Sequence, residues 1–482
     1  MKGIKLPRPA GPDPENRLAL RGGGYSLALT ALLLALLLVV NVFVSALPVS
    51  LTRFDISSSK LYSITSNTKV VANALTQDVT IYWIVQAGQE DEVLKNLLSK
   101  YDSLSDHIQV VKKNPDVFPA FAQQYTDEAV QNNSLVVECG DRSRYIGYSD
   151  IYLQEPDLYS YSYSTSFDGE GAITSAIDYV VTEDLPRLYL LEGHGEEELP
   201  ATFREQLEKD NIQIQSLSLL TADAVPAEAD CVMLYAPQSD ISTKEAELLA
   251  DYTKGGGKLL VAAGPVKEGS LDNLYSLLSY YGVTAAEGIV VEGDRQRYAF
   301  QSPYLLLPEM ASSEITDPLT GENYYAILPI AQGLDTSGAA GTVTPLLTTS
   351  AASFSKPAGY DITTYEKEEG DIDGPFALGV MVDTGNDGQI VWFTSADFLG
   401  DMYNAYSSGA NGDLAMNALS ALIGQREAIA IRSKSLNYNY LTISASTASL
   451  LKTVLIGVFP LTYLGIGILV VLKRRREQNE AV

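Results

Sequence analysis

Cysteine and histidine are almost absent from this sequence, which has two of each in 482 residues. Cys139 and Cys231 lie in different predicted domains, so they form neither a disulfide framework nor, with so little histidine, a zinc ligand set. Positive charge is also scarce, because 33 lysines and arginines stand against 60 aspartates and glutamates, a net charge of −27. Nucleic-acid binding depends on clustered lysine and arginine. The composition therefore argues against nucleic acid as a partner and favours a solvated acidic surface.

Three catalytic signatures are missing as well. The stretch "KGGGKLL" lacks the spacing of a phosphate-binding loop, and no Cys-x-x-Cys is present for thiol redox chemistry. After the predicted strand "KLLVAAG" the chain has Gly264 and Pro265, where a hydrolase of this topology would place its nucleophile. Cys231 begins a strand instead of following one, so we expect a buried structural thiol. ATP hydrolysis by that route, thiol redox chemistry and an elbow-type nucleophile are thereby excluded.

Two long apolar runs are present, Leu27 to Leu47 and Thr453 to Leu472, and each matches the roughly 20 residues of a transmembrane helix. "VSA" before Leu47 offers a cleaved signal peptide as the alternative for the first run. That run exceeds the apolar stretch of about 7 to 15 residues typical of signal peptides, which favours an anchor. In the second run, Gly457, Gly465 and Gly467 indicate either a closely packed partner helix or ordinary membrane-helix composition.

Basic residues flank both runs on the sides that face the chain ends. Five precede the first run and four follow the second directly: Lys2, Lys5, Arg8, Arg17, Arg21, Lys473, Arg474, Arg475 and Arg476. Only Arg53 lies close after the first run. The positive-inside rule therefore predicts a two-pass protein of the cell membrane, with both termini cytoplasmic and an acidic extracytoplasmic region between the helices.

The first part of that exterior region alternates strand and helix patterns. "SITSNTKVVANAL" predicts a capped helix, "DVTIYWIVQ" a strand, "EDEVLKNLLSKYDSL" a helix, "HIQVVKK" a strand and "PDVFPAFAQQY" a short helix. "NSLVVECG" and "RSRYIGYS" predict a hairpin that turns near Gly140. The order β-α-β-α-β-β is that of a thioredoxin-like unit, and without Cys-x-x-Cys a binding or scaffold role follows.

A tyrosine- and serine-rich stretch, residues 159–166, follows this unit. It indicates either a platform on which sugars or a peptide stack, or a half-buried strand with tyrosine on one face. "GEGAITSAIDYVV" then predicts a helix that places Ile173, Ala176, Ile177 and Val180 inward.

After Pro186 the pattern becomes doubly wound. Buried strands "RLYLLEG", "IQIQSLSL", "ADCVMLYAP" and "GKLLVAAGP" alternate with helices "LPATFREQLEKDN" and "STKEAELLADYTKGG". Such crossovers predict a parallel sheet covered by helices on both faces, with its functional crevice beyond the carboxyl ends of the strands.

His194 lies at that predicted edge, within "EGHGE" between two glycines. Glu192, Glu196 and Glu197 are near in sequence, but His107 is in another domain, so only carboxylates could complete a metal site. A calcium site is a nonspecific alternative. The segment is interpreted as a structural turn or ligand-binding remnant, with a partner contact and a metal or catalytic site as the alternatives.

Further along, "PFALGVMVDTGNDGQIVWFTSADF" predicts a hairpin, and Asn411, Gly412 and Asp413 begin a helix. Asp397 and Asp413 are candidates to meet His194 at the strand ends, with capping and turn roles as the alternative. The candidate ligand or partner contacts are therefore His194, Glu192, Glu196, Asp397 and Asp413. No catalytic residue, metal ligand or cofactor is predicted.

Several of these segments, in this order, resemble the GldG-like auxiliary subunits of gliding-motility-type ABC transporters. They are "LTRFDISSSKLYSITSNT", "GEGAITSAIDYV", "LEGHGE", "AELLADYTKGGGKLLVAAGP", "GQIVWFTSADFL" and "NGDLAMNALSALIGQREAIAIRSKSL". The resemblance implies a flavodoxin-like domain, similar to glutamine amidotransferases but without their nucleophile. It also implies two partners, a separate cytoplasmic ABC ATPase and an ABC-2-type permease.

The predicted organisation is an α/β protein with two transmembrane helices. The parts are a cytoplasmic tail 1–26, a transmembrane helix 27–47, a linker and thioredoxin-like domain 48–182, a flavodoxin-like domain with insertions 183–435, a linker 436–452, a transmembrane helix 453–472 and a basic tail 473–482.

The function expected from this organisation is that of a noncatalytic accessory subunit of an ABC transporter, in contact with membrane lipid, whose exterior domains bind a substrate or partner. One alternative is a membrane-anchored hydrolase or glycan-acting enzyme that uses His194 and nearby carboxylates. Another is an adhesion or sensing module whose contact face is the tyrosine-rich stretch.

Overall fold

The computed structural model describes residues 14–45, 61, 63–127, 129–157, 162–321, 323–339, 341–424, 434–435, 449 and 452–479. The chain divides into two units, Met1–Ser63 and Ile64–Val482. The described part of the first unit is mainly one helix, α1 (Pro14–Ser45). Its apolar portion, Leu27–Phe43, is shorter than a full membrane span, and Ala46 and Leu47 lie outside the described residues. The predicted first transmembrane helix therefore stays a prediction.

The second unit begins with a four-stranded sheet and its helices. Its elements are α2 (Ser66–Ala74), β1 (Val79–Ile84), α3 (Glu92–Leu104), β2 (Ile108–Lys113), β3 (Ser134–Cys139) and β4 (Arg142–Ile146). The strand order is β2-β1-β3-β4, with β1 and β2 parallel and the other pairs antiparallel. These elements match the predicted β-α-β-α-β-β order with one exception. The helix expected over 115–125 is wrong, because only a 3₁₀ turn, Ala122–Gln124, forms there.

Two short strands and a helix follow, and the helix packs back on this sheet. The elements are α4 (Tyr148–Ile151), β5 (Tyr152–Asp157), β6 (Ser162–Phe167) and α5 (Gly169–Val181). Strands β5 and β6 pair antiparallel, so the second half of the tyrosine-rich stretch is a strand; residues 158–161 lie outside the described part. Helix α5 buries Ile173, Ala176, Ile177 and Val180, as its spacing predicts, and contacts β3 and β4.

The large central sheet contains the predicted doubly wound pattern. Its first elements are β7 (Arg187–Leu191), α6 (Ala201–Lys209), β8 (Gln213–Leu217), β9 (Cys231–Tyr235), α7 (Thr243–Lys254), β10 (Lys258–Ala262) and α8 (Asp272–Ser279). Alternate residues of β9 enter different cores: Met233 packs with Phe203 of α6, and Leu234 packs with Leu249 of α7. Helices therefore cover both faces of the sheet.

The segment after α8 contains short strands, helix α9 (Asp317–Gly321) and a long hairpin. The strands are β11 (Thr284–Ala285), β12 (Ile289–Val291), β13 (Leu305–Leu306), β14 (Glu309–Met310), β15 (Leu328–Pro329), β16 (Leu334–Asp335), β17 (Val343–Thr348), β18 (Phe354–Lys356), β19 (Ile372–Asp373), β20 (Ala377–Gly385) and β21 (Gly388–Phe393). The hairpin β20–β21 is the one predicted around "TGNDG". It is followed by α10 (Asp401–Tyr406) and α11 (Ala410–Ile423).

The four strands predicted to form a parallel sheet, β7 to β10, are parallel, and the complete central sheet is mixed because further strands join it. The order β11-β16-β20-β21-β10-β9-β7-β8 has five parallel strands, β21-β10-β9-β7-β8, and β20 pairs antiparallel with β21. Strand β17 pairs antiparallel with β20 as well. The antiparallel side arises because β20 and β21 are joined by a tight turn, which cannot connect parallel neighbours.

The residues Ser166–Glu170, here called the anchor segment, hold two distant parts of the chain. Glu170 is only 2% exposed, and its Oε1 accepts hydrogen bonds from Thr65 N (2.6 Å), Thr65 Oγ1 (2.8 Å) and Thr68 Oγ1 (2.8 Å). On the other side, β22 (Lys434–Ser435) pairs with Phe167 and Ser166. The described segments that follow helix α1 and precede the C-terminal helix are thus attached within five residues of each other.

The C-terminal helix is long and apolar enough to cross a membrane. A π-helical segment, Thr453–Val458, continues into α12 (Phe459–Asn479). Within this helix, the stretch Thr453–Lys473 has the length and the apolar composition that a transmembrane span requires. This stretch coincides with the predicted second transmembrane helix. It is the one candidate span among the described residues.

Candidate functional site

The sequence "EGHGE" forms a tight loop directly after β7, at the carboxyl edge of the central sheet. Gly193 has φ +129° and Gly195 has φ +73°, conformations that side chains beyond glycine rarely adopt. A Cβ on Gly193 would also lie 2.7 Å from Leu220 Cδ1. The two glycines therefore fold the loop so that the intervening side chain, His194, turns inward and is only 4% exposed.

Both ring nitrogens of His194 face carboxylates. Nδ1 lies 2.9 Å from Glu196 Oε1, and Nε2 lies 3.2 Å from Glu245 Oε2. A neutral imidazole has a single N–H, so both contacts are hydrogen bonds only when the ring is protonated. With both nitrogens committed to glutamates, no lone pair is directed at the crevice for metal ligation or proton transfer.

The partners of His194 are fixed by their own backbone contacts. Glu196 Oε2 accepts from the N–H groups of Gly193 (3.0 Å) and His194 (2.7 Å). Glu245 Oε2 accepts from Ser242 N (2.9 Å) and Ser242 Oγ (2.7 Å), which is the capping box that begins α7. Burial opposes ionisation of Glu245, but the hydrogen bonds from Ser242 and His194 outweigh it and lower the pKa of Glu245.

The main chain of His194 binds a third segment. Its carbonyl oxygen accepts from Gln238 N (3.0 Å), Ser239 N (3.0 Å) and Ser239 Oγ (3.1 Å), in the loop after β9. His194 thus joins the loop after β7, the loop after β9 and the first turn of α7. We call this group, His194 with Glu196 and Glu245, the histidine latch.

The other predicted site residues do not join the latch. Glu192 is exposed and accepts a hydrogen bond from Ser216 Oγ. Asp397 begins the 3₁₀ turn after β21, and burial raises its pKa, opposed by the charge of Lys267. Neither Asp397 nor Asp413 is among the hydrogen-bond partners of His194. Of the predicted set, only Glu196 contacts the histidine.

Glu245, the residue that sequence reasoning missed, is 1% exposed and lies 51 positions after His194. The sequence feature that could have pointed to Glu245 is the capping box in "STKE", which predicts that α7 begins there. The glutamate of that box then lies in the first turn of α7, next to the strand ends. That signal identifies a helix start but does not identify the histidine as its partner.

The strand-end crevice itself is lined by tyrosine and carboxylate. Tyr235 ends β9, and burial raises its pKa, to which the negative charges of Glu197, Asp397 and Asp401 add. Tyr360 closes part of this edge by donating a hydrogen bond from Oη to the carbonyl oxygen of Pro265 (3.0 Å). The crevice is therefore acidic and contains phenols that stay protonated.

The position where a hydrolase would carry its nucleophile is crowded by the backbone. A Cβ on Gly264 would lie 3.1 Å from the carbonyl oxygen of Thr394 and 3.3 Å from that of Ile330. Both contacts are with backbone atoms, which cannot swing aside. Cys231 is fully buried at the other end of β9, and burial raises its pKa, so the predicted structural thiol is confirmed.

Asp413 instead belongs to an acidic junction between α5, α6 and α11. Its Oδ1 accepts from Gln206 Nε2 (3.3 Å), and it is 6% exposed. Asp210, at the end of α6, lies among Asp178, Asp413 and Asp168, and Lys209 binds Asp168 (2.8 Å). Burial, followed by the charges of Asp178 and Asp413, raises the pKa of Asp210 to about 7. In the described parts of the chain, no group of three or more histidine, cysteine, aspartate or glutamate side chains is arranged to hold a metal.

Two family models match the chain. Residues 185–418 match the family described as ABC-type uncharacterized transport system, an auxiliary family. Residues 58–154 match a family described as a domain of unknown function (DUF7088). The first match supports an ABC transporter auxiliary family, the coarser part of the resemblance stated above, and an auxiliary component of an ABC transport system. No curated protein is significantly similar to this chain.

Several solved structures are similar to about half of the chain. The mmIFT52 N-terminal domain matches at 17% identity and a TM-score of 0.38, over 49% of this chain and 97% of its own. A glutamine amidotransferase from Thermotoga maritima matches at 9% identity and a TM-score of 0.29, over 49% and 98%. PurLQS from Thermotoga maritima matches at 11% identity and a TM-score of 0.26, also over 49% and 98%.

Proposed function

We propose that this chain is a noncatalytic, GldG-like, membrane-anchored accessory subunit of an ABC exporter. The observation that carries the proposal is the match of residues 185–418 to an ABC transport family. The apolar helix over Thr453–Lys473 supports the membrane anchor. Since one or two spans cannot enclose a transport path, the chain serves a complex and does not form the channel.

The chemistry of the strand-end crevice supports a role without catalysis. The histidine latch occupies both nitrogens of His194, and backbone carbonyl oxygens crowd the place where a nucleophile would stand at Gly264. What remains is a rigid acidic and phenolic surface, which suits binding of a substrate or a partner domain. Asp397, which is half-buried and whose negative charge helps to raise the pKa of Tyr235 and of Tyr360, is the candidate contact on that surface.

The proposed topology has two spans, cytoplasmic termini and an extracytoplasmic body with a thioredoxin-like and a flavodoxin-like part. The strand order β2-β1-β3-β4, with α5 packed on β3 and β4, supports the thioredoxin-like assignment. The basic residues Lys473–Arg476 directly after the C-terminal span support a cytoplasmic end. The partners are a cytoplasmic ABC ATPase and an ABC-2-type permease, and the apolar helices contact the permease and membrane lipid.

Affinity capture of the full chain from its own cells in a mild detergent tests the proposal. We expect an ATPase with a phosphate-binding loop and a multi-span permease to be recovered in fixed proportion to the chain. A matched control replaces Thr453–Lys473 by an unrelated single span, which keeps the exterior body anchored but removes the permease contact. Recovery of the intact chain alone, with circular dichroism that shows a folded body, would overturn the proposal.

Protease treatment of intact cells tests the topology separately. We expect cleavage of the body between the helices while both basic tails stay protected. A body that resists a protease able to digest a known surface protein would place it inside the cell.

A further inference from the structure

The four-stranded sheet of the second unit contains a cavity of about 410 Å³, well away from the histidine latch. It lies beyond the carboxyl ends of the parallel strands β1 and β2, against residues 115–123 and 129–132. Ligand sites of α/β sheets are found at this edge, and pockets for small molecules span roughly 300–1,000 Å³. Its size and place are therefore those of a small-molecule site.

The cavity exists because the loop above it does not form the helix that its sequence suggests. Pro119 removes a backbone donor in the middle of "PDVFPAFAQQY", and only the 3₁₀ turn Ala122–Gln124 remains. Phe121, Val130 and Ala122 pack over Ile84 as a small separate apolar cluster. This cluster forms the floor and one wall, and Phe118, which is 52% exposed, stands at the rim.

Lys113, the last residue of β2, brings a positive charge into this wall. Its Nζ lies 4.9 Å from the ring centre of Phe121, 5.2 Å from that of Tyr82 and 5.3 Å from that of Phe118. Three ring faces attract the ammonium group without neutralising it. Within the described residues Lys113 makes no ion pair, whereas its neighbour Lys112, on the opposite face of the strand, pairs with Glu90.

The polar part of the wall is partly fixed and partly open. Asn132 Nδ2 donates to Gln86 Oε1 (2.9 Å), and Asn132 Oδ1 accepts from Gln86 N (3.0 Å). These two hydrogen bonds fix the orientation of both side chains without a bound ligand. The side-chain amides of Gln123 and Gln131 line the same cavity and have no hydrogen-bond partner in the described part of the chain. They can donate to, or accept from, a polar group of a bound molecule.

We propose that this cavity binds a small monocarboxylate with an apolar body, whose carboxylate pairs with Lys113 and whose body contacts Phe121, Ala122 and Val130. The single positive charge of Lys113, which has no ion-pair partner among the described residues, matches a single negative charge. Asp116, which accepts a hydrogen bond from Gln86 Nε2 (2.8 Å), is nearby and disfavours a dianion such as phosphate. The free end of a short apolar peptide and a short fatty acid share this chemistry. The site is independent of the transport role and of the strand-end crevice.

Isothermal titration calorimetry of the full chain in detergent micelles tests the site with two pairs of probes. N-acetyl-Val-Phe is compared with its C-terminal amide, and hexanoate is compared with hexanamide. We expect the acid of at least one pair to bind saturably at micromolar to millimolar concentration, and its amide to bind at least tenfold more weakly. The pair that binds more tightly identifies a peptide end or a fatty acid as the natural source.

Three variants locate the binding on the cavity. Lys113→Gln should weaken the acid at least tenfold, while Lys112→Gln, which removes the neighbouring cation on the other face, should leave the affinity unchanged. Ala129→Phe narrows the cavity from its exposed side, where no core packing is lost, and should abolish binding with an unaltered circular dichroism spectrum. Equal affinity of acid and amide, an unchanged affinity in Lys113→Gln, or no saturable heat for either acid would overturn the proposal.

Discussion

Replacing Asp210 by asparagine should stabilise the protein at pH 8 and leave its stability nearly unchanged at pH 4. In the folded chain the pKa of Asp210 is raised from 3.8 to about 7, by burial first and then by Asp178, Asp413 and Asp168, against the opposing charge of Lys209. Well below pH 4 the group is protonated in both states, so its ionisation contributes nothing, and at pH 4 the contribution is still small. Between pH 4 and pH 7 the unfolded chain loses the proton while the folded chain keeps it, and stability falls as pH rises.

The size of the pKa shift of Asp210 sets how much the Asp210→Asn substitution can stabilise the protein. A pKa difference of about three units corresponds to about 4 kcal/mol at 1.4 kcal/mol per unit, which is the ceiling above pH 7. Asp210 keeps some solvent exposure, and water screens its charge, so about 2 kcal/mol is the expected gain for Asp210→Asn at pH 8. For a folded body of this size, that corresponds to a Tm increase of about 2–3 °C.

Thermal unfolding of the full chain in micelles, followed by circular dichroism at pH 4, 6 and 8, measures this gain. Asp106→Asn, on an exposed turn, is the matched control and should not change Tm at any pH. The reasoning is refuted if Asp210→Asn raises Tm equally at pH 4 and pH 8, or lowers it at pH 8.

Three further changes test the latch, the crevice and the anchor segment. His194→Ala leaves two glutamates without their shared partner and should lower the free energy of unfolding by about 3 kcal/mol. The double variant His194→Ala with Glu245→Gln should recover part of that loss. A His194→Ala protein that keeps its full stability but loses an enzymatic activity would instead favour the alternative of a membrane-anchored hydrolase. Gly264→Ala forces a Cβ against backbone carbonyls and should cost about 1–3 kcal/mol in the same assay, so a neutral result contradicts the crowding. Glu170→Gln weakens three hydrogen bonds, one of them from the backbone amide of Thr65, and should speed amide exchange at Thr65, whereas Glu205→Gln, exposed on α6, should not.

Sequence patterns predict the central sheet well because its strands are buried on both faces. Cys231–Tyr235 is a continuous apolar run between turn signals, and the structure makes it a central strand with every residue buried. Two-residue strands such as β11 and β16 have no periodicity of their own, and tertiary contacts alone define them. The predicted parallel arrangement of β7 to β10 is confirmed, and the antiparallel part of the sheet comes from these short strands and from the hairpin.

The candidate site was predictable as a loop but not as a set of partners. Glycines on both sides of His194 indicate a tight turn, and that turn is present. The contact with Glu245 depends on how α7 approaches the sheet, which no local pattern encodes. Asp397 and Asp413 were grouped with His194 on the rule that strand ends meet, yet α11 places Asp413 beside α6 instead.

The anchor segment has a mechanical consequence. Because Thr65 and Thr68 on one side and Lys434–Ser435 on the other are held within Ser166–Glu170, both of these segments are attached to the folded body at a single place. A change in this one hairpin or in the helix that follows it therefore affects both attachments at once.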